Sequence, residues 1–183
     1  LINDFSSPGD NTDLVTDFEH GDIELEVEFL MPAGSNSGLY FQGRYEVQLS
    51  DSWRIRDISF TDCGGIYQRW TESRQAGFEG IAPRINACKA PGLWQHMKVL
   101  FRAPRFDDSG NKTANAKFEQ VFLNGYLIHE NKEVTGPTKA ALFNDEKKTG
   151  PLMLQGTLGP VAIRNLRYKA YNLDSLKLEN IKY

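Results

Sequence analysis

Between Gly38 and Leu49 the sequence alternates in strict phase, and its even positions carry Tyr40, Gln42, Arg44, Glu46 and Gln48. A face that meets bulk water favours simple charge, whereas this row mixes an aromatic ring, amides, a guanidinium and a carboxylate. Planar hydrogen-bonding groups beside an aromatic platform suit a polyhydroxylated ligand, whose hydroxyls meet the polar groups while its apolar face stacks on the ring. The same residue types recur in the Gly-rich middle, at Trp53, Tyr67, Arg69, Trp70, Arg84, Lys89 and Trp94. Loops presented by a rigid scaffold commonly hold binding groups, although each Trp taken alone serves equally well as core or edge packing.

Other candidates carry less chemistry. Glu24, Glu26 and Glu28 alternate with Ile23, Leu25, Val27 and Phe29, which reads as the solvated face of a half-buried strand. His20, His96 and His129 are isolated in sequence, and a lone histidine is more often structural than a proton carrier; His129 is retained as a candidate. The stretch DDSGN at Asp107 to Asn111 resembles a calcium loop but lacks the distal bidentate glutamate, so it reads as a hairpin turn. Nucleophile-elbow, Walker, dinucleotide and HExxH patterns are missing, and no metal or cofactor is expected. Cys63 and Cys88 are too far apart to suggest zinc. They either form a disulfide, closing a loop of about 25 residues, or remain buried thiols.

The elements that must position these groups are strands. Alternation marks Asp22 to Phe29 and Gly38 to Leu49, and further strands are expected around Trp94 to Arg102, Ala116 to Leu123, Tyr126 to Glu130, Leu152 to Gln155 and Val161 to Lys169. Asn124-Gly125 is a strong hairpin signal. An apolar 3.6-residue period is confined to a turn or two near Thr138 to Phe143. With 16 Gly and 8 Pro, mostly between strand candidates, the chain reads as an all-β sandwich of two antiparallel sheets.

Composition bounds the partners. The 183 residues carry 21 Lys plus Arg and 24 Asp plus Glu, a formal charge of −3, with 40% hydrophobic content. No basic block offers the phosphate-neutralising stripe of a nucleic-acid binder, and no apolar run approaches a membrane span. One domain is expected over 1–169, with 170–183 a tail or linker that leads towards another domain of a longer protein.

Several strings in register resemble the 3-keto-disaccharide hydrolase domain family: GSNSGLYFQGRYEVQLSDSW (Gly34 to Trp53), CGGIYQRW (Cys63 to Trp70), APRINACKAPGLWQHMKVLFRAPRFDDSG (Ala82 to Gly110), VTGPTKAALFNDEKKTGPLMLQG (Val134 to Gly156) and GPVAIRNLRYK (Gly159 to Lys169). The likeness runs roughly from Asp22 to Lys169. It implies a concanavalin A-like jelly roll, periplasmic or extracellular in bacteria, that binds and cleaves oxidised glycosides. Relatives also include carbohydrate-binding modules without catalysis. The expected partner is an oligosaccharide or 3-keto-disaccharide.

A ketone at sugar C3 acidifies the hydrogen on C2, so such a site needs a base, a group that stabilises the enolate and an acid for the leaving oxygen. The chemistry and the strand phase suggest Glu46 as base, Arg44 or Lys89 at the enolate, and His129 or a water as acid. Tyr40, Gln42, Gln48, Tyr67, Arg69, Lys89, Trp94 and Gln155 are the expected substrate-binding residues. Many relatives read Gln-Gly-Asp-His-Gly-Pro-Val where this chain has Gln155, Gly156, Thr157, Leu158, Gly159, Pro160 and Val161. Loss of the Asp-His pair separates two expectations, an enzyme acting on 3-keto-glycosides and a non-catalytic carbohydrate-binding module.

Overall fold

The computed structural model describes residues 1–2 and 12–173, so most of the expected tail, 174–183, lies outside the described residues. Two antiparallel sheets face each other. The first runs β1 (Leu14–His20), β12 (Gly150–Leu154), β3 (Asn36–Phe41) and β4 (Tyr45–Ser50) in that order. The second runs β11 (Tyr126–Val134), β10 (Ala116–Leu123), β7 (Gln95–Arg102), β2 (Ile23–Leu30) and β13 (Ala162–Ala170). Two short ribbons, β5 (Arg69–Trp70) with β6 (Gly77–Phe78) and β8 (Arg105–Phe106) with β9 (Lys112–Ala114), extend from the sandwich. The weak 3.6-residue period near Thr138 forms no helix, and no helix of the described residues is long and apolar enough to cross a membrane.

Inward positions of both sheets fill the space between them. Ile23, Leu25, Val27 and Phe29 of β2 meet Leu39, Phe41, Tyr45, Val47 and Leu49 of β3 and β4, all at most 1% exposed. The rings of Phe41, Phe101 and Phe118 lie 5.1 to 5.5 Å apart in stacked, tilted and edge-on pairs. Burying each such side chain contributes about 2 kcal/mol, which holds the two sheets in register. Glu24, Glu26 and Glu28 occupy the outward phase of β2 and meet Lys98 and Arg164.

The alternating stretch Gly38 to Leu49, expected as one strand, is a hairpin. Gln42 and Gly43 have φ values of 55° and 64°, and the Arg44 amide donates to the Phe41 carbonyl at 2.9 Å. Positive φ at both central residues is what a tight primed turn demands. The turn preserves phase: Tyr40 pairs with Glu46 and Gly38 with Gln48, so even residues of both strands share the outer face.

Asp22, just before β2, ties several segments together. Its carboxylate accepts from the Ala103 and Leu173 amides and, bidentately, from the Arg105 guanidinium at 2.7 Å, while its carbonyl accepts from the Tyr171 amide. DDSGN is the turn joining β8 to β9, closed by Asn111 amide bonds to the Asp107 carboxylate.

Candidate functional site

The outer face of the four-stranded sheet carries a hollow of about 160 Å³. Its floor follows from register. Tyr40 opposes Glu46 and Gly38 opposes Gln48 across the β3–β4 hairpin, while Met153 opposes Tyr40 across β3–β12, which brings Gln155 beside Gly38. On the other side of β4, Ile66 bridges to Val47, and the Tyr67 amide donates to the Glu46 carbonyl at 3.1 Å. Gln155, Tyr40, Gln48, Glu46 and Tyr67 therefore share one face and line the hollow, with Asn36, Lys139, Ala140 and Leu158 completing it.

Glu46 is 2% exposed, and its carboxylate lies over the bare α-carbon of Gly38, where a Cβ would come within 2.1 Å of Oε1. Burial pushes its pKa up to about 8; the hydrogen bond from Tyr40 opposes that rise, and the negative charge of Asp13 adds to it. The Tyr40 phenol is itself pushed up by burial and by Glu46, and the same two influences raise Tyr67. The Tyr40 hydroxyl lies 3.4 Å from the Lys139 carbonyl, and Gln155 Nε2 reaches it at 3.5 Å. Gln155 Oε1 is buried without a protein partner, an acceptor left over for a ligand hydroxyl.

A distant loop closes the hollow. Thr138 Oγ1 accepts from the Glu46 amide at 3.1 Å and donates to the Arg44 carbonyl at 3.0 Å, setting Lys139 and Ala140 on the rim. The Lys139 amide donates to the Gln68 carbonyl at 2.8 Å. Lys139 and Ala140 also belong to a neighbouring hollow of about 350 Å³, whose other residues include Arg69 and Trp70.

Of the expected residues, Tyr40, Glu46, Gln48, Tyr67 and Gln155 converge, and Arg69 lies next door. Gln42 and Arg44 sit in the turn, out of the hollow. Gln42 Nε2 donates to the His20 and Lys148 carbonyls, and its amide donates to His20 Nε2. Arg44 is 2% exposed and bonds to Asp145 Oδ1 at 2.7 Å, to the Asp145 and Gln42 carbonyls, and stacks on Phe143. It therefore positions the rim loop. His129 is fully buried on β11, its Nε2–H donating to the Gly64 carbonyl at 2.7 Å, and burial holds its pKa down at about 4. Lys89 Nζ donates to the Trp94 carbonyl, and the Trp94 ring stacks under Arg164, so neither lines the hollow.

Lys139, Ala140 and Asn36 escaped sequence reasoning, and Leu158 was met there only as a departure from the resembling sequences. Asn36 follows the even phase of β3 and was legible in principle; Lys139 and Ala140 arrive from a loop with no pattern of its own. Leu158, 58% exposed, lies in the wall of the hollow, and Thr157 Oγ1 reaches Asp13 at 3.4 Å. The departure from the resembling sequences thus falls at the site itself. Cys63 and Cys88 are free thiols, the first buried. Among the described residues no cluster of three or more His, Cys, Asp or Glu is placed to hold a metal ion.

A jelly-roll sandwich with a polar, aromatic-lined hollow on the outer face of one sheet is a carbohydrate-active domain. By sequence the chain belongs to the 3-keto-alpha-glucoside-1,2-lyase-like domain family, matched over residues 1–169. Three solved structures from Parabacteroides distasonis ATCC 8503, each described as a putative glycosyl hydrolase, share the fold. One is 25% identical, with a TM-score of 0.68 over 87% of this chain and 68% of that one. The others are both 19% identical, with TM-scores of 0.60 and 0.54, covering 88% of this chain and 84% and 77% of theirs. No curated protein sequence matches the chain.

Proposed function

We propose that the domain cleaves 3-keto-glycosides by elimination, with Glu46 as the base. The observation that carries this reading is a carboxyl group held at a pKa of about 8 in the wall of a hollow lined by phenols and amides. A base of that strength is far better matched to a C–H made acidic by an adjacent ketone than an ordinary carboxylate. The Glu46 carboxylate takes the C2 proton, and the electron pair moves into the C2–C3 bond as the C3 oxygen becomes an enolate. Gln155 N–H is a donor for that oxygen, Tyr40 O–H turns to it from Glu46 once the carboxylate has taken the proton, and Lys139 supplies the cation that the sequence had placed on Arg44 or Lys89. Collapse of the enolate breaks the C1–O bond, forming the C1–C2 alkene, and the proton now on Glu46 passes to the departing oxygen. Addition of water across the alkene completes a net hydrolysis. The printed description of the family as 1,2-lyase-like supports the first half of this sequence.

The test is incubation with 3-keto-trehalose, following release of free sugar. Turnover is expected to climb with pH and level off above about 8, and to fall at least a hundredfold in Glu46→Gln. Turnover that survives in Glu46→Gln overturns the assignment, as does a rate that declines through pH 8. One observation favours a second reading, a non-catalytic carbohydrate-binding module: Leu158 puts an aliphatic group in the wall where resembling sequences carry His. That reading predicts saturable sugar binding with the substrate left intact.

A further inference from the structure

A second hollow adjoins the Glu46 site, with Lys139 and Ala140 lining both. The Glu46 hollow, at about 160 Å³, is smaller than the ~300–1,000 Å³ typical of ligand sites. The adjoining hollow, about 350 Å³, brings the pair into that range. We propose that it is a second sugar subsite, which holds the leaving sugar of a disaccharide while the ring to be cleaved lies against Glu46. This rests on the elimination reading for the order of the two rings, but not for the binding itself.

The residues suit a sugar. Trp70 is 37% exposed and offers an indole platform, with Lys139 Nζ over the ring at 5.1 Å from its centroid. Arg69 stands beside it, held by Glu79 at 3.4 Å and by Thr135, and stacked on Phe78. Its Nε–H is buried without a protein partner. Gly136 leaves the space this guanidinium occupies, since a Cβ there would come within 2.5 Å of Nη2. Asn144 and Glu72 add an amide and a carboxylate at the margin. A stacking indole flanked by a cation pair, an amide and an acid is the same vocabulary as the Glu46 hollow, repeated one ring further along.

The test compares a 3-keto-disaccharide with methyl 3-keto-glucoside, in wild type, Trp70→Ala and Arg69→Gln, with circular dichroism confirming that the variants fold. Calorimetric titration into Glu46→Gln, with and without Trp70→Ala, reads binding apart from chemistry. The disaccharide is expected to bind at least tenfold more tightly than the methyl glycoside, and Trp70→Ala is expected to erase that advantage while leaving the methyl glycoside unchanged. In wild type, kcat/KM for the disaccharide falls by a similar factor, mostly through KM. Equal affinity for the two ligands, or equal losses on both in Trp70→Ala, overturns the subsite. Preferential disaccharide binding without turnover upholds it while overturning the elimination mechanism.

Discussion

Gly38 matters for what it lacks. The carboxyl of Glu46 occupies the volume that any side chain at position 38 would need, with Cδ and Cγ 2.9 and 3.0 Å from an added Cβ. In Gly38→Ala the flexible end of Glu46 yields and swings into the hollow, where it is hydrated. The expected result is a melting temperature within a few degrees of wild type but sugar affinity reduced at least tenfold, measurable by titration. The rate-limiting ionisation should also move back towards the ordinary carboxylate range, because burial is the main cause of its elevation. Unchanged affinity in this variant would mean that the position of Glu46 is irrelevant to binding.

The β3–β4 hairpin and the rim loop behave as one unit, because Arg44 and Thr138 bind them together. Arg44→Lys keeps the charge but loses the forked contact with Asp145 and the stacking on Phe143. It should lower stability by about 1–3 kcal/mol in urea unfolding and expose the 138–145 backbone to faster amide exchange. Arg44→Met, which restores bulk without donors, should do no better. Gly43→Ala is strained twice, by its φ of 64° and by Phe143 and Leu142 3.2 to 3.3 Å away. Gly125→Ala shares only the φ strain, with open space around it. The first should therefore cost more than the second, for which about 1 kcal/mol is expected.

The hairpin also shows what could be read in advance. Alternation correctly put Tyr40, Glu46 and Gln48 on one face and Leu39, Val47 and Leu49 on the other, because the turn keeps phase. For the same reason alternation could not reveal the turn, and Gln42-Gly43 lacks the Asn-Gly signature that located the β10–β11 turn at Asn124. Gln42 and Arg44 therefore seemed to continue the ligand-facing row. β1 was missed because adjacent Leu14 and Val15 break the phase, and its residues are mostly exposed. The rim residues arrive through hydrogen bonds across about a hundred positions, which no local pattern encodes.

For the whole molecule, three buried groups contribute to the response to pH with a sign that follows from burial. Folded His20 and His129 titrate near 4 rather than 6.5, both mainly through burial, so their contribution is complete above 6.5 and is lost as pH falls towards 4. Glu46 acts in the opposite sense: its folded pKa of about 8 against 4.5 means a contribution complete below 4.5 and lost as pH rises through 8. Comparing wild type with Glu46→Gln isolates the second effect. The variant should gain on wild type by about 1.4 kcal/mol per pH unit between pH 6 and 8 and then level off, as urea unfolding would show. A constant difference across that range would mean that Glu46 is ionised in the folded protein at neutral pH.

Asp22 gives the sandwich a mechanical direction. β13 is the edge strand of its sheet, paired along its length with β2 and bridged at its start by Leu1 and Ile2, and Ala170 pairs with Ile23 at the end nearest the C-terminus. Tension applied from that end would open its hydrogen bonds one at a time, the weakest way to load a strand. The Asp22 contacts with Arg105, Tyr171 and Leu173 stand in front of that seam. A pull from the C-terminal side must first break the hydrogen bonds that the Asp22 carbonyl and carboxylate accept from the Tyr171 and Leu173 amides, while Arg105 holds that carboxylate in place from the other side, so an ion pair that the pulled segment never touches fixes the anchor it must leave.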